Sequence, residues 1–318
     1  MSPHQTKEFV HAGVAQPAAS GEQAEGDASD RAQRAEGGVQ PPFRSLGIIG
    51  LGLIGGSLAL ATRRAWPAIR IVGVDHGAAL EAARWLVAFD ALADAPDAVR
   101  GAELVVLAAP VRQNALVLRE LAAGLAEDVL VTDVGSTKRV MAEAAGELPP
   151  QLSFIGGHPL AGAARGGLVL ARGDLFEGRR WLLTPGPAQP RHDHLARLQA
   201  FVSGLGAVPQ VMSAEDHDRL LAYLSHLPQL AASALIDTVG RAVGERIDLA
   251  GPGLADTTRL ASSPSPIWED ICVTNADAIG PALDALIETL QSVRDRLEDP
   301  PAVAKLFGSA QAWRERLG

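Results

Sequence analysis

The sequence predicts an α/β fold with a doubly wound parallel sheet, followed by an all-helical domain. Short apolar runs alternate with helical patterns from Leu46 to about residue 204, which is typical of buried parallel strands joined by crossover helices. From residue 213 onward the pattern is almost entirely helical, over roughly 214–243, 252–261, 265–295 and 300–316. The length of 318 residues also suits two domains. We therefore expect a sheet domain over 44–212 and a helical domain over 213–318.

Residues 1–43 precede the first apolar run and show no periodic pattern. Their three basic and six acidic residues give a net charge of −3, and such a segment cannot bury enough apolar surface to fold. We predict a disordered tail over 1–43. No apolar stretch follows a basic start, and no run of 18 apolar residues occurs, so neither a secretory signal nor a membrane partner is expected.

Charge and cysteine content limit the possible functions. The 28 basic and 37 acidic residues leave a net charge of −9, which argues against a nucleic-acid partner because such proteins present a basic face. The single cysteine, Cys272, excludes an internal disulfide framework and a cysteine-based zinc site. No metal is predicted, and the cysteine usage fits a cytoplasmic location.

The first apolar run leads into a glycine-rich turn. Gly50, Gly52 and Gly55 have the G-x-G-x-x-G spacing between a strand and a helix. Gly50 permits the tight turn, Gly52 lets the backbone approach a pyrophosphate, and Gly55 lets the helix pack closely on the strand. The helix start at Leu53 and Ile54 offers amides to phosphate. The motif predicts a Rossmann-like dinucleotide-binding domain; a plain βαβ unit without cofactor is the alternative.

The carboxyl ends of the next strands supply further candidates. Asp75 ends the second strand, 25 residues after Gly50; an acid there bonds to the ribose hydroxyls and repels a 2′-phosphate, which favours NAD over NADP. Ligands of such sheets bind beyond the carboxyl ends of the strands. The remaining cofactor-binding candidates follow or end the third and fourth strands: Ala109, Pro110, Val111 and Asp133. The polar residues placed there are Ser136, Lys138 and His158.

Five segments carry a family resemblance: GIIGLGLIGGSLA at 47–59, DVGSTK at 133–138, GGHPLAG at 156–162, HDRLLAYLSHLPQ at 217–229 and DTTRLASSPSPIW at 256–268. With these segments the chain resembles the prephenate/arogenate dehydrogenase family of tyrosine biosynthesis. The resemblance implies an NAD(P)-dependent oxidative decarboxylation that makes 4-hydroxyphenylpyruvate from prephenate, or tyrosine from arogenate. It also implies that His158 accepts the hydrogen bond of the substrate hydroxyl, a task that suits histidine, and that Ser136 contacts the same region.

Substrate carboxylates call for a cation, and the planar fork of arginine binds them in a bidentate manner. Arg259 matches the family's substrate-binding arginine, nine residues before Trp268. Ser225 and Gln229 share one side of a helix at i and i+4 and complete the predicted substrate site with Trp268. Lys138 either binds a carboxylate or caps a helix. His217 and His226 match helix positions facing the cleft, with either a catalytic role or a role in holding the domain interface.

Two positions depart from the family pattern. Gln229 stands where members active on prephenate often have a histidine that contacts the pyruvyl side chain, and Ala163 and Ala164 replace a common Ser/Thr-Glu pair. Both positions border the side-chain end of the substrate, so the choice between prephenate and arogenate stays open, with prephenate favoured. The chain ends about 50 residues after Trp268, and no separate regulatory domain is expected.

The helix around Leu227–Val239 is apolar over too much of its surface to face solvent. We predict a homodimer through the helical domain; burial inside the monomer is the alternative. Three other functions are alternatives. A β-hydroxyacid-type dehydrogenase needs a lysine in the helical domain, where the chain has only Lys305. An amino-deoxyprephenate dehydrogenase cannot be distinguished by sequence from the prephenate/arogenate enzymes. A non-catalytic NAD-binding sensor is expected to lack the equivalent of His158 or of Arg259.

Overall fold

The structure is a computed structural model that describes residues 40–126, 128–150, 152–162, 166–186 and 193–317. Residues Pro41–Gly318 form one compact unit. Most of the predicted tail, residues 1–39, lies outside the described residues. Phe43, which the sequence assigned to that tail, is fully buried and packs edge-on against Phe201, with ring centroids 6.0 Å apart. The ordered chain therefore begins earlier than predicted, because this ring fills part of the core.

The eight strands of the described residues form one sheet in the order β3-β2-β1-β4-β5-β6-β7-β8. They are β1 (Ser45–Ile49), β2 (Arg70–Val74), β3 (Ala91–Ala93), β4 (Leu104–Leu107), β5 (Leu130–Asp133), β6 (Ser153–Pro159), β7 (Arg180–Pro185) and β8 (Val208–Val211). All neighbours from β3 to β6 pair in parallel. The strand order reverses between β1 and β4, and this is the place where doubly wound sheets bind their ligands.

One pair departs from the parallel prediction. β6 and β7 are antiparallel, with His158 opposite Leu182, and β8 is parallel to β7. A parallel pair needs a crossover, usually a helix, and the described part of the β6–β7 connection holds only the short 3₁₀ turn Leu168–Leu170. The sequence did not predict β3, which is only three residues long, or β8, which is mostly exposed and contains Pro209.

In the part of the chain that the structure describes, five helices accompany the sheet: α1 (Leu53–Ala65), α2 (Gly77–Ala83), α3 (Val111–Ala122), α4 (Arg139–Gly146) and α5 (His194–Gly204). Side chains alternate along the central strands, as the two-residue period of a strand requires. Leu104 and Val106 of β4 belong to one apolar cluster, while Val105 and Leu107 belong to the other. Both faces of the sheet are therefore buried, as the apolar runs predicted.

The helical part begins with Ser213 and the helix that follows it. Ser213 caps the first helix, and its Oγ accepts a hydrogen bond from the Asp216 amide at 3.0 Å. The elements are α6 (Ala214–Leu221), a π-helical turn (Ala222–His226), α7 (Leu227–Val243), α8 (Pro252–Thr257), α9 (Ser265–Thr274), α10 (Ala276–Arg294) and α11 (Pro300–Glu315). None of the helices in the described residues is both long and apolar enough to cross a membrane.

Two ion-pair groups join the helical part to the sheet part. Arg112 of α3 pairs with Asp270 of α9 at 2.6 Å. Arg139 of α4 pairs with Asp218 of α6 at 3.2 Å and with Asp277 of α10. Because both groups lie at the carboxyl end of the sheet, they hold the helices over the edge where the candidate site residues are found. The boundary expected between residues 212 and 213 falls between β8 and α6.

Candidate active site

The glycine turn has the shape that each of its glycines predicted. Gly50 has a φ of 100°, and an added Cβ would lie 2.5 Å from the Ala108 carbonyl carbon. At Gly55 a Cβ would lie 1.9 Å from the Gly50 oxygen, whereas at Gly52 it would meet nothing within 4 Å. The backbone at Gly52 is thus open to close approach. The first turn of α1 has neither an acidic residue nor a side-chain cap, which leaves its amides available to phosphate.

A cavity of about 400 Å³ lies beyond the carboxyl ends of β1, β4 and β5. The sheet part lines it with Gly52, Leu53, Ile54, Ala109, Pro110, Val111, Gly135 and Ser136, and the helical part with Pro264, Ile267, Asp270 and Ile271. Seven of the predicted site residues therefore line one cavity: Gly52, Leu53, Ile54, Ala109, Pro110, Val111 and Ser136. The glycine turn at its entrance and the open backbone at Gly52 fit a dinucleotide cofactor.

Asp75 stands at the end of β2, beside the glycine turn. Its Oδ2 accepts a hydrogen bond from the Leu51 amide at 2.6 Å, and its Oδ1 accepts one from the His76 amide at 2.7 Å. These bonds fix the half-buried carboxylate at the edge of the turn. A carboxylate in this position can accept hydrogen bonds from the ribose hydroxyls of a dinucleotide.

Asn114 of α3 is a site residue that the sequence analysis missed. Its side chain is fully buried; Oδ1 accepts a hydrogen bond from the Ala109 amide at 3.0 Å, and Nδ2 donates one to the Leu107 carbonyl at 3.2 Å. The amide therefore fixes the turn that follows β4, where Ala109 and Pro110 line the cavity. In the sequence this residue looks like an ordinary polar position of a helix, and no motif distinguishes it.

The sequence predicts that Asp133 contacts the cofactor and that Lys138 either binds a carboxylate or caps a helix. Lys138 is the N-cap residue of α4, but its side chain makes no capping hydrogen bond. Both side chains are fully buried, and neither residue is among those lining the cavity. The Lys138 ammonium pairs with Asp133 and donates to the Gly157 carbonyl at 2.8 Å. Burial lowers the pKa of Lys138, and Asp133 opposes that shift. The pair joins the loop that carries Ser136 to the end of β6 that carries His158, because the ammonium bonds to both Asp133 and Gly157.

His158, near the end of β6, begins a chain of three side chains. Its Nδ1 lies 2.9 Å from Nε2 of His217, whose Nδ1 lies 2.8 Å from Oδ1 of Asp218. The Asp218 carboxylate also accepts hydrogen bonds from the amides of Lys138 at 2.7 Å and Arg139 at 2.9 Å. In this hydrogen-bonded row of side chains, the start of α4 therefore fixes Asp218, and β6 fixes His158.

The hydrogen bonds determine which nitrogen of each ring carries a proton. Burial alone would raise the pKa of Asp218, but its hydrogen bonds from His217 and the two amides lower that pKa, so the carboxylate is ionised and accepts only. His217 must then donate from Nδ1 and accept at Nε2. His158 in turn donates from Nδ1, which leaves the lone pair of its Nε2 free to accept a proton.

Both histidines are neutral in this arrangement. Burial first, and then the neighbouring His217 and Lys138, hold the pKa of His158 well below the usual value for histidine. Burial also lowers the pKa of His217, against the opposing effect of its bond to Asp218. His158 is therefore kept as an unprotonated base at neutral pH, the state that a proton acceptor needs.

A second cavity, of about 560 Å³, lies beside His158. His158, Arg180, Leu221 and Ser225 are among the residues that line it. Ala161 and Gly162 line both cavities, so the two spaces adjoin beside His158. Of the predicted residues, Ser136 lines the first cavity and Ser225 lines the second. Ala163 and Ala164, which follow, lie outside the described residues.

The π-helical turn changes the predicted relation of Ser225 and Gln229. An uninterrupted α-helix would place these residues on one side, but a π turn bonds i to i+5 and shifts the following residues around the axis. Ser225 lines the second cavity, whereas Gln229 donates from Nε2 to the Leu260 carbonyl at 2.8 Å.

Arg259 lies in a turn that packs against α7, and Trp268 lies in α9, which follows that turn. Arg259 is exposed at the start of the 3₁₀ turn Arg259–Ser262, and within the described part of the chain it forms no ion pair. The Trp268 ring lies edge-on to that of His226, with centroids 6.1 Å apart. The structure therefore brings Ser136, His158 and Ser225 together but does not bring Arg259 among the residues that line the two cavities.

His226 lies at the interface of the helices. Its ring is buried, and its Nδ1 lies 3.2 Å from Nδ2 of Asn275, which also donates to the Asp218 carbonyl at 2.9 Å. Burial lowers the pKa of His226 to about 4. These contacts favour the structural alternative for His226, while His217 contacts the catalytic candidate directly. Among the described residues no group of three or more His, Cys, Asp or Glu side chains could hold a metal ion.

A glycine turn for a dinucleotide, an adjoining cavity and a neutral histidine between them define a nicotinamide-dinucleotide-dependent oxidoreductase. Two family models match: the nucleotide-binding domain of prephenate dehydrogenase over residues 58–211 and its dimerization domain over residues 213–306. The chain belongs to the prephenate dehydrogenase family.

Individual relatives agree with that assignment. The chain is 35% identical to the prephenate dehydrogenase of Bacillus subtilis, covering 85% of this chain and 75% of that protein. It is 35% identical to the cyclohexadienyl dehydrogenase of Zymomonas mobilis, covering 86% and 96%. The crystal structure of prephenate dehydrogenase from A. aeolicus with hydroxyphenyl propionate and NAD+ is similar, with a TM-score of 0.80 and 28% identity over 86% of this chain and 98% of that chain.

Proposed function

We propose that the protein catalyses the NAD-dependent oxidative decarboxylation of prephenate to 4-hydroxyphenylpyruvate in tyrosine biosynthesis. The observation that carries this proposal is the free Nε2 of neutral His158 where the cofactor cavity and the second cavity adjoin. The names of the relatives from B. subtilis and A. aeolicus support prephenate as the substrate. Asp75 supports NAD over NADP, because its carboxylate would repel a 2′-phosphate.

The reaction removes a hydride and a proton from one C–OH group. A bound nicotinamide supplies the hydride acceptor. His158 accepts the hydroxyl proton at Nε2 while the C4–H bond breaks and the C4 carbonyl forms. The bond from the ring to its carboxylate then breaks, CO2 leaves, and the bonding electrons enter the ring, which becomes aromatic. His158 returns its proton to the phenolate oxygen, and the His217–Asp218 pair stabilises the imidazolium in between.

The remaining site residues have roles at the substrate's other end. Arg259 is proposed to bind the side-chain carboxylate, since its guanidinium has no ion-pair partner in the described part of the chain and its planar fork suits a carboxylate. Ser225 contributes a hydroxyl to the cavity beside His158, and Trp268 packs beside His226. Ser136 lines the cofactor cavity and contacts the hydroxyl region of the substrate in this proposal.

We further propose a homodimer formed through the helical part. Only Gln229 and Ala232 of α7 are buried within the chain, although α7 is rich in apolar residues. Large apolar side chains are also exposed on the last two helices and between them: Ile287, Leu290, Leu297, Phe307 and Trp313. The match to a dimerization-domain model supports the proposal that a second copy of the chain covers these exposed side chains. The cytoplasmic location expected from the cysteine usage is part of the same proposal.

Steady-state kinetics with prephenate and arogenate, each with NAD and with NADP, test the proposed function. We expect the highest kcat/KM for prephenate with NAD, measured by the absorbance of the reduced cofactor and the release of CO2. A higher kcat/KM for arogenate would instead favour the alternative substrate. Binding of NAD with no turnover of either substrate would contradict the enzyme assignment.

Asp75→Ser is expected to narrow the preference for NAD over NADP by about tenfold or more, since one charge interaction of about 1.4 kcal/mol corresponds to tenfold in affinity. The change removes the carboxylate that repels the 2′-phosphate, and the smaller serine leaves room for that phosphate. Dissociation constants of both cofactors measure the effect. Asp94→Ser, at an exposed acid just after β3, is the matched control. An unchanged NAD/NADP ratio in Asp75→Ser would show that this acid does not read the ribose.

A further inference from the structure

We propose that Gln229 is a positioning residue that fixes the turn carrying Arg259 against the start of α7, and that it does not bind the substrate itself. The inference rests on the proposed role of Arg259 in binding the substrate carboxylate. It changes the interpretation of Gln229, which the sequence placed among the substrate-binding residues.

The polar atoms of the Gln229 side chain already have partners. The residue is the third of α7 and is only 5% exposed. Its Nε2 donates to the Leu260 carbonyl at 2.8 Å, and its Oε1 accepts a longer bond from the Ser263 hydroxyl at 3.4 Å. A buried amide satisfied in this way is costly to redirect, because turning it toward a ligand leaves its present partners unpaired.

Within the described part of the chain, the turn makes no other hydrogen bond to a separate element, although it packs against α7. Its remaining bonds are local: the Ala261 amide donates to Thr258 at 2.9 Å, the Ser263 amide to Leu260 at 3.0 Å, and the Ser262 hydroxyl to Arg259 at 2.9 Å. These bonds shape the turn without joining it to another element. Among the described residues, Gln229 is the residue outside the turn whose side chain hydrogen-bonds to residues 259–263.

The position of Gln229 connects this turn to both cavities. Two residues before α7 begins, Ser225 of the π-helical turn lines the cavity beside His158. Directly after the Arg259 turn, Pro264 and Ile267 line the cofactor cavity. A bond from the start of α7 to Leu260 therefore sets the spacing of the Arg259 backbone relative to the two spaces where the reaction is proposed.

The direction of the Arg259 guanidinium depends on that backbone. The side chain is exposed and has no ion pair within the described residues to orient it, so loss of the anchor would spread it over more rotamers, at a cost in binding entropy. Because the Gln229 amide is neutral, it adds no charge for the substrate's side-chain carboxylate. Recognition of that carboxylate then falls to Arg259.

A double-mutant cycle of Gln229→Met and Arg259→Ala tests the inference, since methionine keeps the length and the apolar stem but makes neither hydrogen bond. Kinetics with prephenate are measured for the full-length wild type, both single variants and the double variant. We expect Gln229→Met to raise KM by about tenfold with kcat within about twofold, the pattern of lost uniform binding. Arg259→Ala is expected to raise KM by about a hundredfold, as loss of a charge-assisted pair does.

The decisive measurement is the double variant. If Gln229 acts through Arg259, the KM of the double variant equals that of Arg259→Ala within about twofold. A KM equal to the product of the two single effects would overturn the inference while leaving the role of Arg259 intact. An unchanged KM in Arg259→Ala would overturn both the role of Arg259 and the inference that rests on it.

Ser263→Ala provides a second variant that removes only the longer of the two bonds. We expect a smaller rise in KM than for Gln229→Met, again with kcat retained and again absent when Arg259 is already alanine. Thermal unfolding of each variant separates loss of folding from loss of positioning. A Ser263→Ala effect that persists in full in the Arg259→Ala background would also overturn the inference.

Discussion

His158→Asn is expected to lower kcat by about 10²–10⁴-fold, the contribution of a positioned acid–base group, while NAD affinity stays near that of the wild type. Asparagine is similar in size but offers no basic nitrogen to accept the proton that leaves the substrate hydroxyl. The cofactor cavity is lined by other residues, so its affinity for NAD is largely unchanged. Single-turnover kinetics give the chemical step, and the dissociation constant of NAD is the internal control.

The pH dependence of the wild type complements this variant. Protonation of Nε2 removes the acceptor, so kcat falls as the pH drops through the pKa of His158. Burial and the neighbouring His217 and Lys138 hold that pKa well below its usual value. We therefore expect no fall in kcat as the pH passes about 6.5, the usual pKa of histidine. The fall should come only at a lower pH. Wild-type turnover in His158→Asn would show that another group accepts the proton.

Asp218→Asn is expected to lower kcat by about 10²–10⁴-fold, because the wrong tautomer of a catalytic histidine has an effect of this order. The amide nitrogen of asparagine is expected to take the Oδ1 position, where it gives up the bond from the Lys138 amide, because the Oδ2 position faces two Arg139 donors. It therefore turns toward His217 and donates to Nδ1. His217 then carries its proton on Nε2, His158 accepts at Nδ1, and the proton of neutral His158 moves to Nε2, where the lone pair is needed.

Asp277→Asn is the matched control for this change. Asp277 also pairs with Arg139, but its carboxylate is exposed and it lies outside the histidine chain. We expect this variant to lose some thermal stability and to keep its kcat. The nitrogen chemical shifts of the two histidines report their tautomers directly. If Asp218→Asn and Asp277→Asn lower kcat equally, the effect comes from the Arg139 clamp and the tautomer argument is wrong.

Much of the fold was predictable because its signals are local. The spacing of Gly50, Gly52 and Gly55 identified the turn, and the apolar runs identified the central strands, since both depend on neighbouring residues. The antiparallel direction of β7 was not predictable, because it depends on how a connection crosses the sheet rather than on the composition of the strand. The short strands β3 and β8 lacked the apolar length that marks a buried strand.

The site was predictable in part. The motifs placed Ser136 and His158 at strand ends, and the structure brings them around adjoining cavities. The sequence left open whether Lys138 binds a carboxylate or caps a helix, but the buried Asp133 five residues earlier pairs with its ammonium inside the protein. Asn114 gave no signal at all, because a buried amide in a helix differs from an exposed one only by its surroundings.

The sequence by itself determined which residues are available for the chemistry: a glycine turn for phosphates, an acid for the ribose and a histidine at a strand end. Only the tertiary structure decided the state of those groups. His158 and His217 are 59 positions apart in the chain, and the proton on each ring is set by a partner that folding brings within hydrogen-bond distance. Gln229 likewise meets Leu260 from 31 positions away. Hydrogen bonds act over about 3 Å of space, so contacts between distant segments assign roles that residue type leaves open.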